Sequence, residues 1–390
     1  MKPISSDERN ISLDALRGAA LFGVLIVNLL VGFRVSLFQS ILTFHTHPGW
    51  VNHAVDIVVA GVFEFKAFTL FSFLFGVGAG VQGQRAAAHQ ANASSFFVRR
   101  FMVLLAIGLC HMLLIWNGDI LTLYAVCGLL LIPFAGLPTC WLLALGAALV
   151  ALSPYLPFFG ALYPTEAAMR AQAALATHVY ATGSFAEIMA FRWHEAWRFI
   201  APLLIGSLPR TFGLMLLGMA AWRGGVFQQP QKHRKLLKII AIVAGSLGAL
   251  MTTLQVCSKE TGQPPSAAFD WLYPYSVVLL AFAYGTGLWL WFNSARDGHV
   301  RWQARMLAAT GRMALSNYLA QSVIFSLMFY GFGFGLFGTL GSAVAAMFGL
   351  AVFIAQLIVS DWWLERFRFG PAEWLWRSLT YGQWQPLRKG

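Results

Sequence analysis

Three histidines within nine residues, His45, His47 and His53, and a fourth, His111, eight positions before Asp119, are the side chains in this sequence best suited to moving protons. Imidazole titrates near neutral pH and a carboxylate can orient it, so His with Asp is standard equipment for general acid–base chemistry. Upstream stands a second group, Asp14, Arg17 and Asn28. The eleven residues from Arg17 to Asn28, at about 100° each, return to within roughly 20° of the same azimuth, so the three share one helical face. That face is polar inside an apolar run. A rise of about 1.5 Å per residue sets Arg17 and Asn28 roughly 16 Å apart, one near a membrane surface and the other deep. An arginine so placed can hold a phosphate, and a buried carboxamide can polarise a carbonyl.

The elements that must position these groups are membrane helices. Hydrophobic residues make up 58% of the chain and charged ones 11%, where a soluble domain carries about a quarter charged. Apolar windows at 15–35, 57–82, 100–117, 119–136, 139–157, 201–222, 237–255, 271–293, 312–332 and 342–363 predict an all-α bundle of about ten spans. With ten spans the basic groups Lys2/Arg9, Arg85/Arg99/Arg100, Arg223 to Lys238, Arg296/Arg301/Arg305 and Arg366 to Lys389 fall on one side. The positive-inside rule makes that side, and both termini, cytoplasmic in a bacterial inner membrane. The net charge of +12 is spread over loops and forms no stripe, so nucleic acid is excluded as a partner. No cleavage site follows the first apolar run, so the first span is expected to stay. The reading divides the chain into an N-terminal membrane half (1–157), an outer polar cap (158–199, with helix expected over Ala167–Ala176) and a C-terminal membrane half (200–390).

Ionisable groups inside spans cost roughly 2.5–3.5 kcal/mol each on insertion scales, so each asks for a partner or a function. Glu64 and Lys66, two apart on a helix, point about 200° apart and must seek different neighbours; Arg210 beside Pro209 is a partner for Glu64. His111 and Asp119 flank a short turn, on the same outer surface as His47. Asn317 and Gln321 share a face and read as structural hydrogen bonding. Trp362, Trp363, Trp374 and Trp376 read as an interfacial belt, and the cysteines as buried packing. Gly78–Gly83 and Gly333–Gly338 match Gly-x-Gly-x-x-Gly but lack a preceding strand, so they read as helix packing and an outer turn. A metal site at the three histidines and Asp56 ranks third, since the spacing differs from the usual helical ligand pair.

The segment Ile11-Ser12-Leu13-Asp14-Ala15-Leu16-Arg17-Gly18 resembles the opening of the bacterial YeiB family. Similar blocks recur at Lys66–Gly76, His111–Leu121, Gly311–Leu319 and Phe369–Arg377. The first span also resembles, more distantly, heparan-α-glucosaminide N-acetyltransferase and the transmembrane acyltransferase superfamily. There an Arg-Gly is followed at the Arg17-to-Asn28 spacing by Asn or His, and then by a catalytic His in a His-x-x-Trp setting, which His47-Pro48-Gly49-Trp50 fits. The resemblance implies an integral-membrane acyltransferase that moves an acyl group, expected to be acetyl, from cytoplasmic acyl-CoA (acetyl-CoA) to an amine or hydroxyl on the outer side. His47, Asn28, His111 and Asp119 form its expected catalytic set, and Arg17, Asp14, Lys66 and Arg210 its donor-binding set. The expected partners are the bilayer and a small-molecule, glycan or lipid acceptor, with a homodimer left open. A small-molecule transporter is the competing reading, and a receptor or scaffold the third.

Overall fold

The computed structural model describes residues 10–88, 93–156, 164–261, 267–294 and 298–389, and these fold as an all-helical bundle. Lys2, Arg9 and Arg296 of the basic groups, and part of the boundary near residue 158, lie outside the described residues. Each of the ten apolar windows contains helix. Among the described residues seven helices are long and apolar enough to cross a membrane, while those at Leu121–Leu131, Thr139–Tyr155 and Ala314–Phe329 are shorter. Such a set of apolar helices is that of a membrane protein.

Helix α1 (Ile11–Phe33) is started by Asn10, whose side chain accepts the amide of Leu13. A short α2 (Leu37–Leu42) and α3 (Trp50–Val58) follow. The window at 57–82 is not one helix: α3 ends in a wide turn at Val59–Phe63, and α4 (Lys66–Ala88) begins after a break in which Phe65 adopts φ 58°. Glu64 and Lys66 therefore sit on either side of a chain break rather than on one helix, and the 200° argument does not apply to them. Next come α5 (Ala93–Cys110), α6 (Leu121–Leu131) and α7 (Thr139–Leu152). Helix α8 (Glu166–Thr182) covers the predicted Ala-rich segment, and α9 (Phe185–Glu195) opens with a Ser184–Glu187 capping box. Through a turn at Ala196–Ile200, α9 runs on into α10 (Ala201–Arg223), which passes Pro209 without ending. The pair α11 (Pro230–Thr261) and α12 (Ala267–Ser294) precedes α13 (Gly298–Arg312), α14 (Ala314–Phe329), α15 (Ser342–Arg366) and the terminal α16 (Pro371–Tyr381).

Two close helix crossings hold the centre together. A Cβ on Gly18 would overlap the Leu307 carbonyl and one on Gly311 the Asp14 carbonyl, so α1 and α13 touch backbone to backbone. Gly76 and Gly218 do the same for α4 and α10 against Met215 and Phe73. Without a hydrophobic drive between helices in lipid, small residues that admit such contact supply packing energy.

Four helices end in i→i+5 turns, at Asn28–Phe33, Val59–Phe63, His111–Ile115 and Ala196–Ile200. Such a turn releases carbonyls from the helical ladder, and in a membrane each needs another donor. Side chains supply three of these segments. Ser40 Oγ donates to Val31 O (2.9 Å) and Trp116 Nε1 to Gly32 O (3.4 Å). Lys66 Nζ donates to Ala60 O (2.6 Å) and Ser326 Oγ to Ile115 O (2.9 Å).

Asn317 and Gln321 hydrogen-bond across to Ser360 and Gln356 of α15 at 3.0 and 2.8 Å, as expected of structural polar groups. The tryptophans depart from the belt reading. Trp363, Trp374 and Trp376 donate to Phe369 O, Gln385 O and Arg100 O, folding the tail onto the bundle, while Trp362 is exposed with Arg366 over its ring. Of the cysteines only Cys127 is buried. In a bilayer an apolar run can face lipid, so hydrophobicity does not specify burial within the protein.

Candidate functional site

A cavity of about 280 Å³ opens between α1, α4, α5 and α14, with α16 across one end. On α1 it is lined by Asp14, Arg17, Leu21 and Val24, the polar-then-apolar stripe that the helical period predicts. Asn28 continues this stripe one turn further, about 6 Å beyond Val24, and is half-buried. One end of the cavity is basic: Arg17, Arg85, Arg100, Arg312 and Arg377 line it, with Asp14 and Glu373. Toward the other end its walls are Leu21, Val24, Leu104, Leu121 and Tyr318. Gly78 and Gly80 of the first glycine motif admit Arg17 and Trp222 against α4, which is the packing role expected.

Helix α5 repeats the layout of α1. Arg100 lines the basic end, Leu104 the apolar wall, and His111 stands eleven residues after Arg100 as Asn28 does after Arg17. Each polar residue is the first of an i→i+5 turn, a feature frequent at functional sites. The two turns adjoin, since Trp116 stacks on Phe33 at 4.3 Å. The Arg-then-polar spacing on α5 was open to the same arithmetic as on α1, and is the signal that ties His111 to the cavity.

His111 is 1% exposed and Asp119 likewise. His111 Nδ1 lies 2.8 Å from Asp119 Oδ1, while Asp119 Oδ2 accepts the amide of Thr122 at 2.6 Å. The carboxylate accepts, so Nδ1 carries the ring proton and Nε2 is left with its lone pair. That Nε2 is buried and has no hydrogen-bond partner among the described residues. The His111 ring packs against Tyr318, 5.0 Å between centroids, and Tyr318 is the cavity wall.

His47 is arranged the opposite way. Arg34, 2% exposed, donates through Nη1 toward His47 Nδ1 (3.0 Å) and through Nη2 to Thr46 Oγ1 (2.6 Å). A guanidinium has no lone pair to offer, so His47 Nδ1 accepts and Nε2 holds the proton. In that tautomer Nε2 is a donor. The structure does not bring His47 to the cavity wall. Nor does it bring Lys66 or Arg210 there: Lys66 is buried on Ala60 O, and the Arg210 guanidinium stands 5.8 Å from the Phe65 ring. Both serve the break before α4. Arg17, meanwhile, is paired with Asp14 at 2.7 Å.

His45 closes the loop between α2 and α3. Its Nδ1 lies 3.0 Å from Asp56 and its Nε2 2.7 Å from Glu260 on α11, with the His53 ring stacked at 4.0 Å. Burial opposes its charge, but the hydrogen bonds to Asp56 and Glu260 outweigh it and raise the pKa above 6.5. A raised folded-state pKa means stability that is complete below the unfolded value and lost as pH rises through the folded one. Thermal unfolding of the solubilised protein should therefore fall as pH rises from about 6 to 8, on the order of 1–2 °C, and His45→Gln should flatten that slope. An equal slope in the variant would dismiss the clasp.

Three relatives and one family model place the chain. The uncharacterized protein YxaH of Bacillus subtilis is 34% identical over 410 residues, covering 100% of this chain and 98% of that protein. The uncharacterized protein YeiB of Escherichia coli is 28% identical over 424 residues, with 96% of each chain covered. An uncharacterized 39.9 kDa protein from the amylase 3′ region of Bacillus acidopullulyticus is 28% identical over 406 residues, 99% of this chain and 98% of that one. The family described as protein of unknown function DUF418 matches residues 221–383, the span from the end of α10 through α16. Similarity over the full length, with the DUF418 match in the C-terminal half, shows that this chain belongs to the YeiB-like family.

Proposed function

We propose that the protein is a membrane acyltransferase using acyl-CoA, with acetyl-CoA as the expected donor, and an amine or hydroxyl acceptor. The observation that carries the reading is a buried histidine–aspartate pair with a free Nε2 behind the apolar end of a cavity whose opposite end is lined with arginine. The basic end takes the donor's phosphates, with Arg17, Arg100, Arg312 and Arg377 as the groups nearest to hand. The acyl arm lies along Leu21, Val24 and Leu104 toward Tyr318. His111 Nε2 takes the proton of the attacking amine or hydroxyl, the new C–N or C–O bond forms at the thioester carbon, and the C–S bond breaks. The proton passes to the departing thiolate, so CoA leaves as the thiol. Asp119 holds the imidazole and stabilises its charged form, and in this reading Asn28, one turn beyond Val24, donates to the developing oxyanion.

The same reading sets ten spans with both termini cytoplasmic in a bacterial inner membrane. Arg85, Arg100 and Arg377, from two of the basic groups, gather at one end of the bundle, which supports that end as cytoplasmic. The acceptor enters from the histidine-loop end. A transporter is the second reading, favoured by the discontinuous helix at Glu64–Phe65; there, however, the Lys66 ammonium already occupies the freed carbonyl.

Purified protein given labelled acetyl-CoA and a panel of amines, amino sugars and hydroxylated lipids should release CoA only with an acceptor present. Arg17→Gln should raise the donor KM about 10-fold, the worth of one charge-assisted hydrogen bond. No acceptor-dependent release across the panel, together with solute uptake by proteoliposomes, would move transport ahead.

A further inference from the structure

The charges lining the basic end do not balance. Apart from Arg85, four guanidinium groups face two carboxylates, and both carboxylates are already engaged. Asp14 binds Arg17. Glu373 accepts the amides of Leu315 (2.7 Å) and Ser316 (3.1 Å) and the Ser316 hydroxyl (2.5 Å), which caps the start of α14. Among the described residues no carboxylate lies within 4 Å of Arg100, Arg312 or Arg377.

Aromatic rings hold two of these three cations instead. The Arg100 guanidinium lies 3.7 Å above the Trp376 ring, whose Nε1 donates to Arg100 O at 2.9 Å, and Arg377 lies 4.5 Å from the Phe369 ring. A ring quadrupole steadies a cation without cancelling its charge. Arg312 has a buried Nε with no partner. Burial pushes the Arg377 guanidinium downward from its ordinary range.

We infer that the basic end is a binding site for a phosphorylated amphiphile bearing at least two negative charges, and that α16 is a wall of that site. The head group is read by Arg100, Arg312 and Arg377, and the attached apolar chain follows the apolar wall of the cavity. Trp376, Arg377 and Glu373 all come from α16, so the site is incomplete without the end of the chain. Two sources share this chemistry, a soluble nucleotide thioester such as acyl-CoA and a lipid phosphate entering from the bilayer. The site shares its cavity with the transfer reading but does not need a transfer step.

The test uses the full chain in detergent with three probes: CoA, dioctanoyl phosphatidic acid and inorganic pyrophosphate. Trp222 and Trp376 line the cavity, so intrinsic fluorescence reports occupancy, and thermal unfolding gives a second readout. Binding of CoA or of the phosphatidic acid, tighter than that of pyrophosphate, is the expected result. Arg312→Gln and Arg377→Gln should each weaken it about 10–100-fold, and Arg377→Lys less. Arg305→Gln, which removes a surface pair with Asp361 away from the cavity, is the control. CoA binding alone identifies the soluble source. Phosphatidic acid binding alone identifies the lipid source, in which case the transfer reading fails and this site stands. No binding of any probe to protein that unfolds cooperatively overturns the inference. So does equal weakening by Arg305→Gln and Arg377→Gln, and pyrophosphate binding as tight as the chain-bearing probes removes the amphiphile.

Discussion

His111→Asn should lower the proposed acetyl transfer about 10²–10⁴-fold, the usual worth of a general base, while leaving affinity for the proposed donor nearly intact. Asparagine keeps an N–H toward Asp119, so the buried carboxylate stays satisfied and the bundle folds; what disappears is the Nε2 lone pair. Asp119→Asn should also cost orders of magnitude by a different route. A carboxamide can donate as well as accept, so the imidazole is no longer held in the tautomer with Nε2 free. His47→Ala should cost far less, because Arg34 already consumes the nitrogen that a base there would need to reverse. The measurement is initial rate against donor concentration for each variant, beside its unfolding temperature. A His111→Asn protein with wild-type kcat would remove the base from this pair. If His47→Ala then proved inactive, the chemistry would return to the histidine loop between α2 and α3.

Gly311→Val is expected to do severe structural damage at the cavity wall. Its side chain would have to occupy the position of the Asp14 carbonyl, a backbone atom that cannot rotate away. Overpacking typically costs about 1–3 kcal/mol, and a clash with backbone belongs at the upper end or beyond. Separating α13 from α1 also moves Arg312 away from Asp14 and Arg17, so ligand binding should fall along with stability. Gly287→Val on α12 is the comparison, since nothing lies within 4 Å of a Cβ there. Equal unfolding temperatures for the two variants would show that the α1–α13 contact is not tight in solution.

Much of this protein could be read before any coordinate was known. Hydropathy marked helix in all ten windows, because a bilayer demands long apolar runs with every backbone group satisfied locally. Helical arithmetic put Asp14, Arg17 and Asn28 on one face, and the structure lines a cavity with the first two while Asn28 lies beyond that lining. The chain pattern of Asn317 and Gln321 told of inter-helix hydrogen bonds, since a polar pair four apart inside a span has no other way to be satisfied.

The rest depended on contacts between segments far apart in sequence. Nothing local distinguishes Lys66 that caps Ala60 from a ligand-binding lysine, because its partner is a carbonyl released by a wide turn that no residue type announces. Arg34 and His47 are thirteen residues apart, and which nitrogen of His47 is free follows only from where that guanidinium folds. The tail's tryptophans looked interfacial because amphipathic rings suit both a headgroup layer and a protein seam; only packing put Trp376 beneath Arg100. Sequence alone determined the helices, their apolar faces and the inventory of groups able to bind phosphate or move protons. The tertiary structure decided which of those groups share a cavity, and that choice rests on backbone contacts such as Gly311 against Asp14, nearly three hundred residues apart, whose close approach no helical period can encode.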